Sequence, residues 1–371
     1  MRVVHVNIVR PRERADPEEL LDTWQTLGDV ATAVHRAGAD VTVVQSFHRD
    51  AELVREGVKF RFVAEPALPG RTVGLLPRRL ADAAREQAPD VIHVNGLDFA
   101  WHTQVLCGIG VPVLAQDHAS VPYARRIRRR WGLARVAGVA FTDARQAEPF
   151  FHNGSFRQGM PIYSVPESST HFTTGNIDEA RAETGIYGDP AVLWVGRLDA
   201  NKDPLTLLDA LEQAARELPE LQLWCCFHEQ PLLGEVRARL ARSPDLAARV
   251  HLLGRVPHGT IEALCRAADF FMLGSHREGS GYALIEALAC GATPVVSDIP
   301  AFRGLTLNGR VGALVPTGDA ATFARALIEL AGHPRGPLRR RAVDHFAREL
   351  SFDVIGRRLC AIYETLLREA M

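Results

Sequence analysis

No apolar run in this chain approaches the roughly eighteen residues that a membrane-spanning helix needs, so no segment is expected to cross a bilayer. The opening MRVVHVNIVR is too short for a signal peptide, and a cytoplasmic protein is expected. The six cysteines, Cys107, Cys225, Cys226, Cys265, Cys290 and Cys360, form no C-x-x-C pair and sit mostly in apolar runs. That pattern argues against a disulfide framework or a zinc site and for buried thiols. Neither sign of charge is in excess: 43 Lys and Arg face 44 Asp and Glu, a formal net charge of −1. No global field recruits nucleic acid, and no nucleic-acid partner is expected. No short-period repeat is visible.

What is present is ordinary globular composition, 47% hydrophobic and 23% charged, over 371 residues. That length exceeds what one core usually serves, so two domains are expected. In the first half, apolar runs at Val3–Val9, Val41–Val44, Val91–Val94, Val111–Ala115 and Val136–Phe141 alternate with helix-length segments. One helix is expected from about Pro17 to Ala37, stopping at Gly38, and another in LPRRLADAAREQAPD. Strands alternating with helices imply right-handed crossovers and a parallel sheet covered on both faces, a Rossmann-like half. From about Asp178 a second set follows: Ala191–Val195, Leu221–Phe227, Val250–Leu253, Phe270–Leu273, Pro294–Ser297 and Ala313–Val315. The expected fold class is therefore α/β, two Rossmann-like domains of about six strands each, 1–170 and 175–350, with parallel sheets facing a central cleft. A last helix, about 352–371, places Phe352, Ile355, Leu359, Ile362 and Leu366 on one face.

The richest stretch is DFFMLGSHREGSGYALIEALACGATPVVSD, Asp269 to Asp298. It reads as strand, glycine loop, helix from Tyr282 to Ala289 stopping at Gly291, and strand. Gly279 and Gly281 let the backbone approach a ligand closely, and the N–H groups and positive dipole end of the helix start suit a phosphate. Glu278 and Glu286 frame this mouth, and carboxylates accept hydrogen bonds from hydroxyls. A nucleotide sugar combines hydroxyls with a diphosphate. Upstream, VLWVGRLDANKDPLTLLDAL ends a buried strand at Val195, turns at Gly196, and sets Arg197 at the strand end and Lys202 before a helix capped by Asp203 with Pro204 in its first turn.

Glu278 and Glu286 inside EGSGYALIEALACG resemble the E-x7-E motif of the retaining family 4 glycosyltransferases, the glycosyl transferases group 1, which have the GT-B fold. Gly196, Arg197 and Lys202 resemble that family's G-R-L-x-x-x-K-G, whose Arg and Lys clamp the donor diphosphate. HLLGRV, ending at Val256, resembles the segment that contacts the base through its backbone. The resemblance implies that Gly196, Arg197, Lys202, Val256, Glu278, Gly279, Ser280, Gly281, Tyr282 and Glu286 bind the donor, Glu278 through sugar hydroxyls and Glu286 through the ribose. It implies catalysis by His118, Glu278, Arg197 and Lys202, His118 matching the histidine of the t-x-H-D segment that points at the reacting sugar. The cations would replace a metal, consistent with the absence of any D-x-D, the metal-holding signature of the other main glycosyltransferase fold; no cofactor and no metal are expected. The donor is expected to be a UDP-, GDP- or ADP-sugar. The resemblance further implies that the terminal helix crosses back onto the first domain.

Three features depart from the family pattern. YSVPESSTHF keeps Pro166 and Phe172 of the interdomain connector but replaces its N-G-V-D, CCFHEQPLLGE lacks the usual G-x-G turn, and Arg10 to Arg14 stand where a Gly-Gly loop is common. Acceptor contacts are sought at strand ends in the first half, at Arg10, Arg12, Arg14, Asn95 and Trp101, for an acceptor that is anionic or lipid-linked. The run ARRIRRRWGLAR, containing Arg125 to Arg135, supports two readings, peripheral contact with an anionic membrane or a solvated helix face. Two other functions share these features: a non-hydrolysing sugar-nucleotide epimerase, which needs no acceptor, and a non-catalytic nucleotide-sugar binding protein, which would be expected to lack Arg197, Lys202 or Glu278.

Overall fold

Val3 and Val4 are neighbours in sequence but lie in different apolar clusters, because successive side chains of a strand point to opposite faces of its sheet. The structure, a computed structural model, describes residues 1–11, 16–64 and 78–370. The chain divides into two units, Met1–Ser169 joined by Phe352–Met371, and Thr170–Ser351.

In the first unit, among the described residues, eight strands form one sheet: β1 (Arg2–Asn7), β2 (Asp40–Phe47), β3 (Ala51–Arg55), β4 (Val58–Ala64), β5 (Val91–Asn95), β6 (Val113–Gln116), β7 (Gly138–Phe141) and β8 (Ile162–Ser164). Their order is β3-β4-β2-β1-β5-β6-β7-β8, parallel except for the antiparallel β3–β4 pair at one edge. About six strands are expected from the apolar runs. The additional ones escape that criterion because AELVR, the half-exposed edge strand, and VKFRFVA beside it intersperse charged residues, and β8 is only three residues long. The single helix expected from Pro17 to Ala37 is two, Pro17–Thr23 and Gln25–Arg36, because Trp24, at φ −107° and ψ 62°, leaves helical geometry between them.

In the second unit β9 (Ala191–Val195), β10 (Gln222–Cys226), β11 (Val250–Gly254), β12 (Phe270–Leu273), β13 (Thr293–Ser297) and β14 (Ala313–Val315) form a parallel sheet ordered β11-β10-β9-β12-β13-β14. The chain builds outward from β9 to β11, then returns to add β12 on the other side of β9. That reversal makes the carboxyl ends of β9 and β12 a topological switch point, where the connections diverge to opposite sides and leave a crevice. The same reversal occurs in the first unit between β1 and β5.

The terminal helix Phe352–Ala370 belongs to the first unit and packs on helix Gln25–Arg36. Gly356 permits the approach, since a Cβ there would fall 2.2 Å from the Ala33 carbonyl oxygen. Phe352, Ile355, Leu359 and Leu366 are buried, while Ile362 is only half-buried and Tyr363 takes the inner place. The Tyr363 hydroxyl lies 2.6 Å from His93 Nδ1 and 3.1 Å from His5 Nε2, so a buried polar contact ties the last helix to β1 and β5.

Burial lowers the His5 imidazole to about 4 and holds His93 well below the ordinary histidine range. Both are neutral in the folded chain, whereas an unfolded histidine takes up a proton near pH 6.5. The unfolded chain therefore binds more protons as pH falls from about 6.5 toward 4, and the stability present above that window is lost within it. His5→Gln is expected to show a shallower acid loss than the parent in urea unfolding between pH 7 and 4; identical slopes would show that His5 is not the linked group.

Candidate functional site

The switch point of the second unit gathers most of the donor residues expected from the sequence. Gly196 and Arg197 directly follow β9, and the chain then folds so that the Lys202 amide donates to Asp199 Oδ1 at 3.0 Å. Asp203, in left-handed geometry at φ +45°, caps helix Pro204–Ala214 through the Thr206 amide. The loop after β12 is bound to this turn along its length. The His276 amide donates to the Asn201 carbonyl at 2.8 Å, the Arg277 amide to Asn201 Oδ1 at 3.1 Å, and Asn201 Nδ2 to the Arg277 carbonyl at 2.9 Å. His276 Nε2 also lies 3.2 Å from Asp203 Oδ2. Asn201 thus acts as the rivet between the two loops.

That riveting brings Lys202 Nζ onto Glu278 Oε1, with side chains only 14% and 12% exposed. Lys202 is therefore not the solvated surface cation that its position in the sequence would allow. Arg197 stays closer to solvent, 3.3 Å from Asp199 Oδ2 and 3.9 Å from Glu229 Oε2. Glu229 belongs to CCFHEQPLLGE, and the Leu198 amide donates to its carbonyl at 2.7 Å, so this departing segment lies against the Arg197 loop. Helix Tyr282–Cys290 starts beside them at Gly281, whose φ of +68° favours glycine and where a Cβ would fall 2.7 Å from Leu305 Cδ1. No side chain caps that helix, so its start suits an anion. Gly279 and Ser280 complete the loop, and Val256 packs half-buried against the same core.

Glu286 points to a residue that sequence reasoning missed. Its Oε1 lies 2.8 Å from Nε2 of His258, the first residue of helix His258–Ala267. The Glu286 carboxylate holds the imidazole above the ordinary histidine range, chiefly through this hydrogen bond. Asn201 was missed as well. A polar residue two positions before a helix N-cap, and a histidine directly after Pro257, were the available signals, and neither reveals a partner about thirty to seventy-five residues away.

In the first unit, β1, β5 and β6 end in register, Asn7 beside Asn95 and Asn95 beside Gln116. Asn95 Nδ2 donates to Asn7 Oδ1, and Asn95 Oδ1 lies 3.3 Å from Nε2 of His118. The other nitrogen of His118 sits 3.4 Å from Glu167 Oε2. Glu167 stands where the connector of the family has Asn, so one of the departing residues meets the candidate histidine. His118 itself is 40% exposed, whereas burial raises the neighbouring Asp117 carboxyl to about 6.

Trp101 lies on helix Ala100–Cys107 and meets Trp131 edge-on at 4.6 Å. Arg10 is half-buried, and Arg12 and Arg14 lie outside the described residues. The arginine run is split in use. Arg129 is buried, pairs with Asp98, donates to the Pro122 carbonyl at 2.9 Å and the Val121 carbonyl at 3.1 Å, and lies over Phe150, so neither reading of a solvent- or membrane-facing helix applies to it. Arg126, Arg128 and Arg130 are exposed together with Tyr123, Ile127 and Trp131.

The fold is that of the two-domain GT-B glycosyltransferases: Anabaena HepE, solved with UDP and glucose, superposes with a TM-score of 0.71 over 98% of this chain and 99% of that one, at 17% identity. The chain belongs to the family 4 glycosyltransferases, matching the family described as Glycosyltransferase Family 4 over residues 24–147 and that described as Glycosyl transferases group 1 over residues 189–333. A phosphatidyl-myo-inositol mannosyltransferase of Mycobacterium leprae is 31% identical over 204 residues, 52% of this chain and 52% of that protein, so the match spans about half the length of that relative. A GDP-mannose:cellobiosyl-diphosphopolyprenol alpha-mannosyltransferase of Xanthomonas oryzae is 24% identical over 81% of this chain and 82% of its own length.

The Lys202–Glu278 pair makes a stability prediction independent of any ligand. Lys202→Met leaves a largely buried carboxylate without its cation and is expected to cost about 3 kcal/mol in urea unfolding. Adding Glu278→Gln should recover at least half of the loss. A single variant as stable as the parent would show that the contact carries no such coupling.

Proposed function

We propose that the chain transfers a hexose from a nucleoside diphosphate sugar to an acceptor hydroxyl, with retention of configuration and without a metal ion. The observation that carries this reading is the set of groups at the β9–β12 switch point: Arg197 and Lys202 on one loop, Glu278 on the other, and a helix start with no side-chain cap. Breaking the anomeric C–O bond builds negative charge on the leaving diphosphate. Arg197, Lys202 and the helix start are the groups suited to stabilise it, and charge-assisted hydrogen bonds of this kind gain strength as that charge develops. Lys202 begins from a contact with Glu278, so both bind in a geometry already set before the donor arrives. Glu278 accepts from sugar hydroxyls and Glu286 from the ribose. His118, which the family resemblance assigns to catalysis, is held between Asn95 and Glu167.

The sequence relatives bear names of mannosyltransferases, one of them of a GDP-mannose enzyme, and GDP-mannose is the donor to try first, with UDP- and ADP-sugars beside it. Both relatives are named for acceptors that are anionic lipids, a phosphatidylinositol and a diphosphopolyprenol. The exposed Arg126, Arg128 and Arg130 interleaved with Tyr123, Ile127 and Trp131 suit the same environment, an anionic membrane surface on the cytoplasmic side.

Thermal-shift measurement with GDP-, UDP- and ADP-sugars tests the donor, since a ligand at one hundred times its Kd stabilises by roughly 2.7 kcal/mol. Arg197→Ala is expected to lower kcat on the order of a hundredfold with a smaller change in KM, and chelator to leave turnover intact. An unchanged kcat would remove Arg197 from the transition state, and turnover lost to chelator and restored by Mn²⁺ would overturn the metal-free mechanism. Turnover of the nucleotide sugar with no acceptor present would favour an epimerase. Cosedimentation with phosphatidylglycerol vesicles should fall at high salt and in the double variant Ile127→Ser with Trp131→Ser; equal binding would exclude this helix as the contact.

A further inference from the structure

Glu286 is the residue on which ribose recognition rests in the reading above, and its carboxylate is not held by its own helix. Among the described residues its one hydrogen-bond partner is His258, at 2.8 Å from Oε1. The two side chains differ in exposure: Glu286 is 13% exposed and His258 60%. The buried carboxylate is thus reached from the solvent side by an imidazole whose position is fixed by two further constraints. His258 is the first residue of its helix, following Pro257, and its ring lies over Phe172 at 4.8 Å between centroids.

The neighbouring charges leave this pairing undivided. Glu262, one turn further along the same helix, also draws on His258 electrostatically, but its Oε1 already accepts from Arg266 and, at 2.9 Å, from the Thr173 amide. Glu262 is neutralised by Arg266, and His258 remains as the hydrogen-bond partner of Glu286.

We propose that His258 is a positioning residue for the donor nucleotide: by holding Oε1 of Glu286 it turns Oε2 outward as a single acceptor aimed at a vicinal pair of ribose hydroxyls. The inference rests on the donor reading of the same site and adds to it a specificity device. A carboxylate free to rotate would present either oxygen and pay rotamer entropy on binding; one tied at Oε1 is pre-organised. A protonated imidazole makes a charge-assisted bond, stronger than a neutral one, so the hold weakens as pH rises through the raised pKa of His258 and the neutral ring donates alone.

The test is calorimetric titration of the full chain with GDP and with 2′,3′-dideoxy-GDP, and with the corresponding UDP pair. These ligands carry the same diphosphate and differ only at the ribose, so their affinity ratio isolates the hydroxyl contact from the phosphate clamp. The parent is expected to prefer the ribose form by about tenfold, the worth of one hydrogen bond to a charged group. His258→Phe, which keeps a ring over Phe172, should reduce the preference to within about twofold, mainly by weakening the ribose ligand. His258→Gln, whose amide donates from nearly the same place, should restore most of it and abolish its decline with rising pH. Undiminished preference in His258→Phe overturns the role of His258 while leaving the donor reading intact. A parent that binds no nucleoside diphosphate at all overturns the donor reading, and the inference with it; one that binds without ribose preference overturns the inference alone.

Discussion

The second unit depends on two loops being joined to each other at the carboxyl ends of β9 and β12. Neither loop is regular, and each carries a charged residue that would be costly to bury alone. Asn201 supplies the join by offering its side-chain amide and its carbonyl to the backbone of residues 276 and 277, satisfying polar groups that an irregular loop leaves without ladder partners. Once the backbones are fixed, Lys202 and Glu278 meet at short range in a largely desolvated place, where a pair is tolerable and either member alone is not. The anion-favouring start of helix Tyr282–Cys290 then lies in sequence directly behind one of the two loops, set there by Gly281.

The first unit uses the same logic with different chemistry. Three adjacent parallel strands end in polar residues in register, so Asn7, Asn95 and Gln116 share one edge of the sheet, and His118 bends back onto Asn95. Deeper in, the strands carry His5 and His93 as neutral buried rings, and the hydroxyl of Tyr363 reaches both. The last helix of the chain is therefore part of the first unit's core by polar contact as well as by apolar packing.

Much of this was legible along the chain. The apolar runs located β9 and β12 to the residue, because a strand buried on both faces has no polar alternation to blur its ends. The glycines and carboxylates of Asp269–Asp298 marked a helix start with hydroxyl acceptors beside it. Edge strand β3 and its neighbour β4 were not legible, since both interleave charged residues with apolar ones, and the break at Trp24 left no trace in a continuous amphipathic pattern.

What the sequence by itself determined is therefore local: the run lengths that make strands, the residues that start and stop helices, and the chemical types at each strand end. Which of those types touch was decided by the tertiary structure. Asn201 with Arg277, Lys202 with Glu278, His258 with Glu286, and His118 with Asn95 and Glu167 are separated by about twenty-three to seventy-six positions. The order in which strands are laid into a sheet brings such residues together, and a single sequence carries no periodic signal for that order. The split within the arginine run has the same origin. Arg129 and Arg130 are adjacent and chemically identical, yet one faces Asp98 and Phe150 inside the unit and the other faces solvent, because a helix turns each successive side chain through about 100°.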